Sequence, residues 1–463
     1  MANKDIEGLA GRLRGRAIRP EDPDYDAARS VWNAMVDKRP ALIVRAAGVA
    51  DVMAAVTFAR EQDLPIAVRG GGHNIAGSGV CEGGVTLDLS AMRSVQVDPV
   101  RRLAQVEGGA TLADLDHEAQ AFGLATPGGV VSSTGVGGLT LGGGFGWLSR
   151  LHGLAADNLV SVELVTAEGR LVTASETQNA ELFWGLRGGS GNFGVATSFL
   201  FRLHPLGPEV LFGPTVYRLE DAAEVLRHYR DFAAAAPREV CVWADLMTAP
   251  PLPFLPESAH GTKVLTLMQC YAGDPAEGAT ALAPLRGFGK PLGDAVGPLP
   301  FTAAQQILDQ TYAKGARNYW KPSNHVELSD GLIDRLVTLA AELPTPQSDI
   351  LICQLGGAIG EVAPEATAYP HRAAAFALAP GVRWTDPAED QACIGWIREA
   401  FAPFEAEAGG AYVNFIAETE GRERDAYGAN YERLAALKAR WDPENAFRLN
   451  QNVRPEARAA AAD

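Results

Sequence analysis

From residue 41 to 203, apolar positions come as short runs cut by glycine rather than as long stripes. Residues 41–45 (Ala-Leu-Ile-Val-Arg) read as a strand. Over 49–61, Val52, Ala55, Val56 and Phe58 recur at helical spacing and give one buried stripe. Ile66–Val68 is a second short apolar run. Residues 83–89, 94–98 and 104–108 alternate well enough for strands, and 112–122 reads as a helix closed by Gly123. Strands follow over 160–166 and 195–203. From about residue 206 the glycine clusters stop. Helical patterns over 222–236, 329–343 and 389–406 then alternate with strand patterns over 239–247, 263–272 and 349–355. The Pro-rich stretch 249–256 is a loop. Near the C-terminus, 411–416 reads as a strand, 427–441 as a helix, 442–448 as a turn and 449–455 as an extended exit, with a frayed Ala-rich tail over 457–462.

The glycine clusters are the anomaly in this pattern. Residues 66–80 run from a strand into Arg69, Gly70, Gly71, Gly72 and His73. Adjacent glycines add no packing and cost backbone entropy; what they allow is close approach of main chain, whose N–H groups can form an anion nest. A pyrophosphate fits such a loop, and His73 then sits beside whatever the phosphates carry. A flexible turn is the alternative. Residues 126–146 hold nine glycines in twenty-one positions and no charge, against a usual glycine share of about 7%. This segment is poor helix material and reads as backbone wrapped around a flat, buried ligand. A third cluster, 187–194, contains Gly189-x-Gly191-x-x-Gly194, but a strand pattern follows it where a dinucleotide fingerprint needs a helix.

Composition narrows the function. The chain has 463 residues, which suggests two or three domains, and 47% hydrophobic residues, which supplies a sizeable core. A net charge of −16 disfavours nucleic acid and anionic membrane as partners. Five scattered cysteines without C-x-x-C argue against a disulfide framework or a zinc site. The N-terminus lacks a signal-peptide core and no apolar run reaches spanning length, so the expected location is cytoplasmic.

Taken together, Arg69-Gly-Gly-Gly-His-Asn74, the run from Gly135 to Gly146, Gly153-Leu-Ala-Ala-Asp-Asn158, Arg187 to Gly194, Tyr412-Val-Asn-Phe415 and Asn430 to Arg448 resemble the berberine-bridge-enzyme-like flavoproteins of the vanillyl-alcohol-oxidase superfamily. The resemblance implies an α+β, two-domain PCMH-type fold. An FAD-binding domain covers 1–205 and is completed by 410–463; a capping domain over 206–409 has an antiparallel sheet covered by helices. FAD lies at their interface, a usual place for a ligand pocket. The cofactor side then draws on Arg69, Gly70, Gly71, Gly72, His73, Asn74, Gly77 and Ser78. It continues through Pro127, Gly128, Val131, Thr134, Gly135, Gly137, Gly138, Gly142, Gly143, Gly144 and Gly146, then Leu154, Asp157 and Asn158. Gly191, Asn192, Gly194, Val195, Tyr412, Asn414 and Asn450 complete it.

By the same resemblance, His73 bonds the flavin 8α-methyl carbon. Val131 stands where many relatives have a second, cysteinyl link, so the attachment is monocovalent. Thr134 occupies the position that gates oxygen, and its small side chain favours an oxidase. Tyr412 is the first candidate for the base that takes the substrate proton; a purely structural tyrosine is the alternative, and Phe415 replaces a tyrosine found in many relatives. Lys321 and His371 are further candidates for base or anion anchor. Tyr319, Trp320, Gln354 and Tyr412 line the substrate side. The implied reaction takes a hydride from a small alcohol, sugar, amine or secondary metabolite, with O₂ as oxidant giving H₂O₂. A dehydrogenase or redox-neutral cyclase or isomerase is the alternative. The substrate and the oligomeric state stay open.

Overall fold

Each large sheet draws on its own stretch of the chain. In the computed structural model, which describes residues 3–418 and 420–456, three sheets of four or more strands form. The Ala-rich tail lies outside the described residues. The first sheet runs Arg16–Ile18, Leu42–Arg45, Val85–Asp88, Ile66–Arg69; its first pair is antiparallel and the other two pairs are parallel. The helix Val49–Glu61 supplies the crossover and buries Val52, Ala55, Val56 and Phe58, as its spacing predicts. The second sheet is antiparallel, in the order Val95–Asp98, Leu103–Glu107, Val195–Arg202, Leu159–Val165, Leu171–Ser175. The helix Leu112–Gln120 starts on a reciprocal cap: the Thr111 hydroxyl accepts from the Asp114 N–H, and the Asp114 carboxylate accepts from the Thr111 N–H. Such a cap stabilises by about 1 kcal/mol.

All nine strands of the third sheet come from residues 209–384. Its central path is Glu209–Arg218, Lys263–Tyr271, Val240–Thr248, Asp349–Gln354, Phe376–Trp384, Arg317–Trp320, antiparallel throughout. The helices Ala222–Ala235, Asp330–Ala341 and Asp390–Ala406 cover one face, burying Leu226, Leu336, Ile397 and Phe401 against it. The opposite face carries Phe212, Trp243, Leu351 and Cys353 and packs toward the glycine-rich half. The α+β architecture with an antiparallel, helix-covered sheet is therefore as expected.

Some elements depart from the sequence reading. Residues 411–416 are no strand; Val413–Phe415 is a single 3₁₀ turn. The glycine segment read as poor helix material contains the helix Val136–Leu141. Strands Glu209–Arg218 and Phe376–Trp384 do not stand out in the sequence pattern. The second is buried at every position, so it has no polar alternation to read, and both carry an interior proline and glycine that usually argue against a strand.

Candidate active site

A cleft of about 290 Å³ lies where the first glycine loops meet the uncovered face of the large sheet. One wall is main chain: Gly70 to Asn74, Gly129 to Val131, Thr134, Gly135, Gly137 and Gly138, Gly191 and Gly194. The other is side chain, with Trp243, Tyr312, Trp320 and Leu351 from the large-sheet half.

The glycine at 71 is set by close approach. A Cβ there would overlap the backbone N and Cα of Gly135, so the two loops touch main chain to main chain. Gly72 has φ +72°, where a side chain is strained. The N–H groups of Gly70, Gly71, Gly72, His73 and Asn74 meet no acceptor among the described residues. Five successive unpaired donors around one cleft are a nest that fits the pyrophosphate of a dinucleotide. Asn450, on the same lining, has its Oδ1 buried without a partner, another polar atom that a ligand would satisfy.

His73 lines the cleft, stacked on Trp32 at 5.5 Å, with Nε2 bonded to Ser133 Oγ at 2.8 Å. Burial pushes its pKa down to about 4, so the ring is neutral at pH 7. Arg69 also lines the cleft, but its guanidinium is spent on Asp88 (2.7 Å) and on the Ala28 carbonyl. Burial works to raise the Asp88 carboxyl; Arg69 and Arg45 outweigh it and hold it below the usual range.

Not every glycine faces the cleft. Gly142 packs on the Asn414 amide, Gly143 on Tyr369, Gly144 on Leu139 and Ala155, and Gly146 on the Gly128 carbonyl, so these permit protein packing rather than ligand approach. Gly77 (φ +70°) packs on Val36, while Ser78 lines the cleft and its N–H donates to Asn74 Oδ1. Val131 and Thr134 line the cleft; Pro127 and Gly128 are buried behind it. Leu154, Asp157 and Asn158 also lie off the lining. Leu154 is core, Asp157 forms a bidentate pair with Arg372 (2.7 Å twice), and Asn158 bonds the His152 and Leu154 carbonyls and His204. Val195 begins a buried strand.

Asn192, read as a cofactor contact, is instead a junction. Its amide donates to the Gly189 and Gln451 carbonyls and Tyr427, and its Oδ1 accepts from the Val453 N–H. Lys438, fully buried, donates to the Asn192 carbonyl and to Asp442. These bonds seat the C-terminal segment against the third glycine cluster and bring Phe447, Leu449 and Asn450 to the cleft.

The proposed chemical side chains separate in the same way. Tyr412 lines the cleft, and its oxygen accepts from the Gly144 N–H (3.1 Å) and from Asn414 Nδ2 (2.7 Å). Burial raises its pKa. With two donors on its oxygen, Tyr412 offers the cleft a proton rather than a site for one. Lys321 does not reach the lining; Nζ pairs with Glu418 (2.5 Å) and Glu405 (3.1 Å). His371 is buried elsewhere, Nε2 on the Ala426 carbonyl, its pKa lowered by burial. Gln354 Oε1 accepts from the Val242 N–H inside the large sheet. Strand alternation sends Trp320 into the cleft and Tyr319 to the other side, where it bonds Glu418 and Arg398.

Sequence reasoning missed Trp32, Phe145, Trp243, Tyr312 and Leu351 on this lining. Phe145 sits inside the Gly135–Gly146 run but is its one aromatic among glycines; the others lie outside any glycine motif, and a lone aromatic in a strand or loop reads as core. It also missed the group behind Tyr312. The Tyr312 hydroxyl donates to Asp349 Oδ2 at 2.9 Å, and Arg383 Nη2 reaches the same oxygen at 3.1 Å. Burial raises the Asp349 carboxyl; burial, reinforced by Asp349, raises neighbouring Asp245 much further. No group of three or more His, Cys, Asp or Glu suited to a metal occurs among the described residues.

Known proteins share this construction. A family model for an FAD-binding domain matches residues 40–175, and one described as berberine and berberine-like matches 411–454. The FAD-linked oxidoreductase YgaK of Bacillus subtilis is 31% identical over 97% of this chain and 98% of its own length. (R)-6-hydroxynicotine oxidase of Paenarthrobacter nicotinovorans is 30% identical over 96% of this chain and 97% of its own. The crystal structure of 6-hydroxy-D-nicotine oxidase from Arthrobacter nicotinovorans superposes with a TM-score of 0.86 at 27% identity, covering 96% of this chain and 98% of that one. Full-length similarity, both family models and a glycine-walled cleft that suits a dinucleotide converge: the chain belongs to the berberine-bridge-enzyme-like FAD-linked oxidoreductases.

Proposed function

We propose that this protein is an FAD-dependent oxidase of a small alcohol, sugar, amine or secondary metabolite, with its flavin held covalently through His73 alone and reoxidised by O₂ to give H₂O₂. The observation that carries the reading is the run of N–H groups from Gly70 to Asn74, unpaired among the described residues, with a neutral His73 on the same cleft. When bound, the flavin supplies the hydride acceptor. Residues 1–205 and 410–463 act as the FAD-binding domain and 206–409 as the cap. The Gly70–Asn74 loop cradles the pyrophosphate. Ser133 occupies His73 Nε2, which leaves Nδ1 as the nitrogen that would hold the flavin. Val131, across the cleft, has no thiol to add a second bond. Tyr412 donates a hydrogen bond that orients the substrate. The protein works in the cytoplasm, a reducing compartment that suits its five free, buried cysteines. No helix among the described residues is long and apolar enough to cross a membrane.

Acid precipitation tests the link. Yellow colour is expected to stay with the protein pellet, and to move to the supernatant in His73→Ala. Colour retained in the pellet by His73→Ala would place the bond elsewhere. Turnover in air with peroxide formation supports the oxidase; flavin reduction by substrate without peroxide on aeration would mean a dehydrogenase.

A further inference from the structure

A second cavity lies apart from the cleft, on the boundary between the two halves. It holds about 140 Å³ and is lined by Asp116, His117 and Ser132 from the glycine-rich half and by Thr302, Gln305 and Gln306 from the large-sheet half. None of these six lines the cleft. Asp116, Gln305 and Ser132 are 6%, 3% and 9% exposed, so three buried polar side chains meet there.

Their partners decide what these side chains present to the cavity. Gln305 Nε2 donates to Asp116 Oδ2 (3.0 Å) and to the Gly129 carbonyl (3.3 Å). An amide oxygen facing that carbonyl would be repelled, which turns the nitrogen there and leaves Oε1 free. Ser132 spends its hydroxyl hydrogen on Asp309 Oδ2 (2.5 Å), so its oxygen has only lone pairs left. Asp116 Oδ1 and Gln305 Oε1 accept no hydrogen bond among the described residues, and neither is sealed from solvent, so both open onto the cavity. No basic residue answers the Asp116 charge: burial and the Gln305 bond alone act on its carboxyl.

A buried carboxylate without a counter-charge is costly, and so is a buried carbonyl without a donor. One cation relieves both. The donors are all oxygen, which suits a hard cation. A single carboxylate faces the cavity, because Asp309 is off the lining and spends both oxygens on the Ser132 N–H and hydroxyl. One negative charge among neutral oxygens balances one positive charge, whereas calcium sites draw on several carboxylates and magnesium demands a near-ideal octahedron. We propose that this cavity binds a monovalent alkali cation, held by Asp116 Oδ1, Gln305 Oε1 and Ser132 Oγ with water completing its shell. The ion ties the helix Leu112–Gln120 and the loop at Ser132 to the large-sheet half.

Thermal unfolding of the full chain tests this at pH ~8, in potassium chloride against tetramethylammonium chloride at equal ionic strength. Tetramethylammonium shows the oxygens only methyl groups. Potassium is expected to raise the parent Tm by about 1–3 °C over it. Asp116→Asn keeps the shape and removes the charge, and is expected to melt at the same temperature in both salts. Crystals grown in rubidium chloride locate the ion: an anomalous peak is expected against Asp116 and Gln305, and none there in Asp116→Asn. A potassium effect shared equally by parent and variant is a general salt effect and overturns the proposal. So does the absence of any potassium effect on the parent, or a cavity without a rubidium peak.

Discussion

Two cleft residues show how a side chain's neighbours decide its chemistry. His73 is half-buried with a serine hydroxyl, not a carboxylate, on Nε2, and its surroundings lower its pKa, so it stays neutral and keeps a lone pair. Tyr412 has the residue type expected of a base, yet the Gly144 N–H and the Asn414 amide both donate to its oxygen. Thr134 lines the same cleft and is half-buried, so a larger side chain there would take up space in the cleft. Thr134→Leu is expected to slow reoxidation by O₂ at least roughly tenfold, a barrier rise of about 1.4 kcal/mol, while anaerobic reduction keeps its rate. Stopped-flow traces of the two half-reactions check this; an unchanged oxygen rate removes Thr134 as the gate.

At the scale of elements, glycines with similar surroundings in sequence do different work. Gly71 and Gly135 bring two loops into backbone contact, whereas a Cβ on Gly138 meets nothing within 4 Å, although both Gly71 and Gly138 line the cleft. Gly71→Ala is expected to destabilise the flavin-free protein by ~1–3 kcal/mol, the usual cost of overpacking. Gly138→Ala leaves the flavin-free protein as stable as the parent or more so, since it sits in the helix Val136–Leu141 and alanine is the better helix former. Urea midpoints of the two variants measure the contrast; equal losses would refute the packing argument. Strand alternation separates neighbours just as sharply at Arg317–Trp320, where Tyr319 and Trp320 end on opposite faces of the large sheet.

The two halves of the molecule meet through buried polar contacts as well as through the cleft. Asp116, on the helix Leu112–Gln120, accepts from Gln305 Nε2 at 3.0 Å, and the same amide reaches the Gly129 carbonyl at 3.3 Å. Burial raises the Asp116 pKa to about 7, with the Gln305 bond opposing only in part. An unfolded aspartate titrates near ~3.9. Between those values the folded protein keeps a proton that the unfolded chain releases, so this group's contribution falls as pH rises from ~4 to ~7. The full penalty, on the order of a few kcal/mol, applies above pH ~7. Asp116→Asn is therefore expected to raise Tm at pH ~8 and to change it little at pH ~4. A gain of the same size at both pH values would show that ionisation is not the cause.

Much of this molecule is legible along the chain alone. Local periodicity marks the helix Val49–Glu61 and the strands around it, because a stripe or an alternation is a property of neighbouring residues. The glycine clusters mark the backbone-walled side of the cleft for the same reason: a backbone that must approach a ligand needs glycine at fixed local positions; His73 and Val131 are singled out by the resemblance to relatives, not by spacing. Which of those glycines face the cleft, and which pack on Asn414 or Tyr369, depends on long-range packing. The same packing makes Asn192 a junction for the C-terminal segment and draws Lys321 into an ion-pair network. It also assembles the wall of Trp32, Phe145, Trp243, Tyr312 and Trp320 from residues up to 288 positions apart, counting 32 to 320. No local pattern encodes such a wall, because each ring is an ordinary core aromatic until strand register and the packing of the large sheet turn them toward one space.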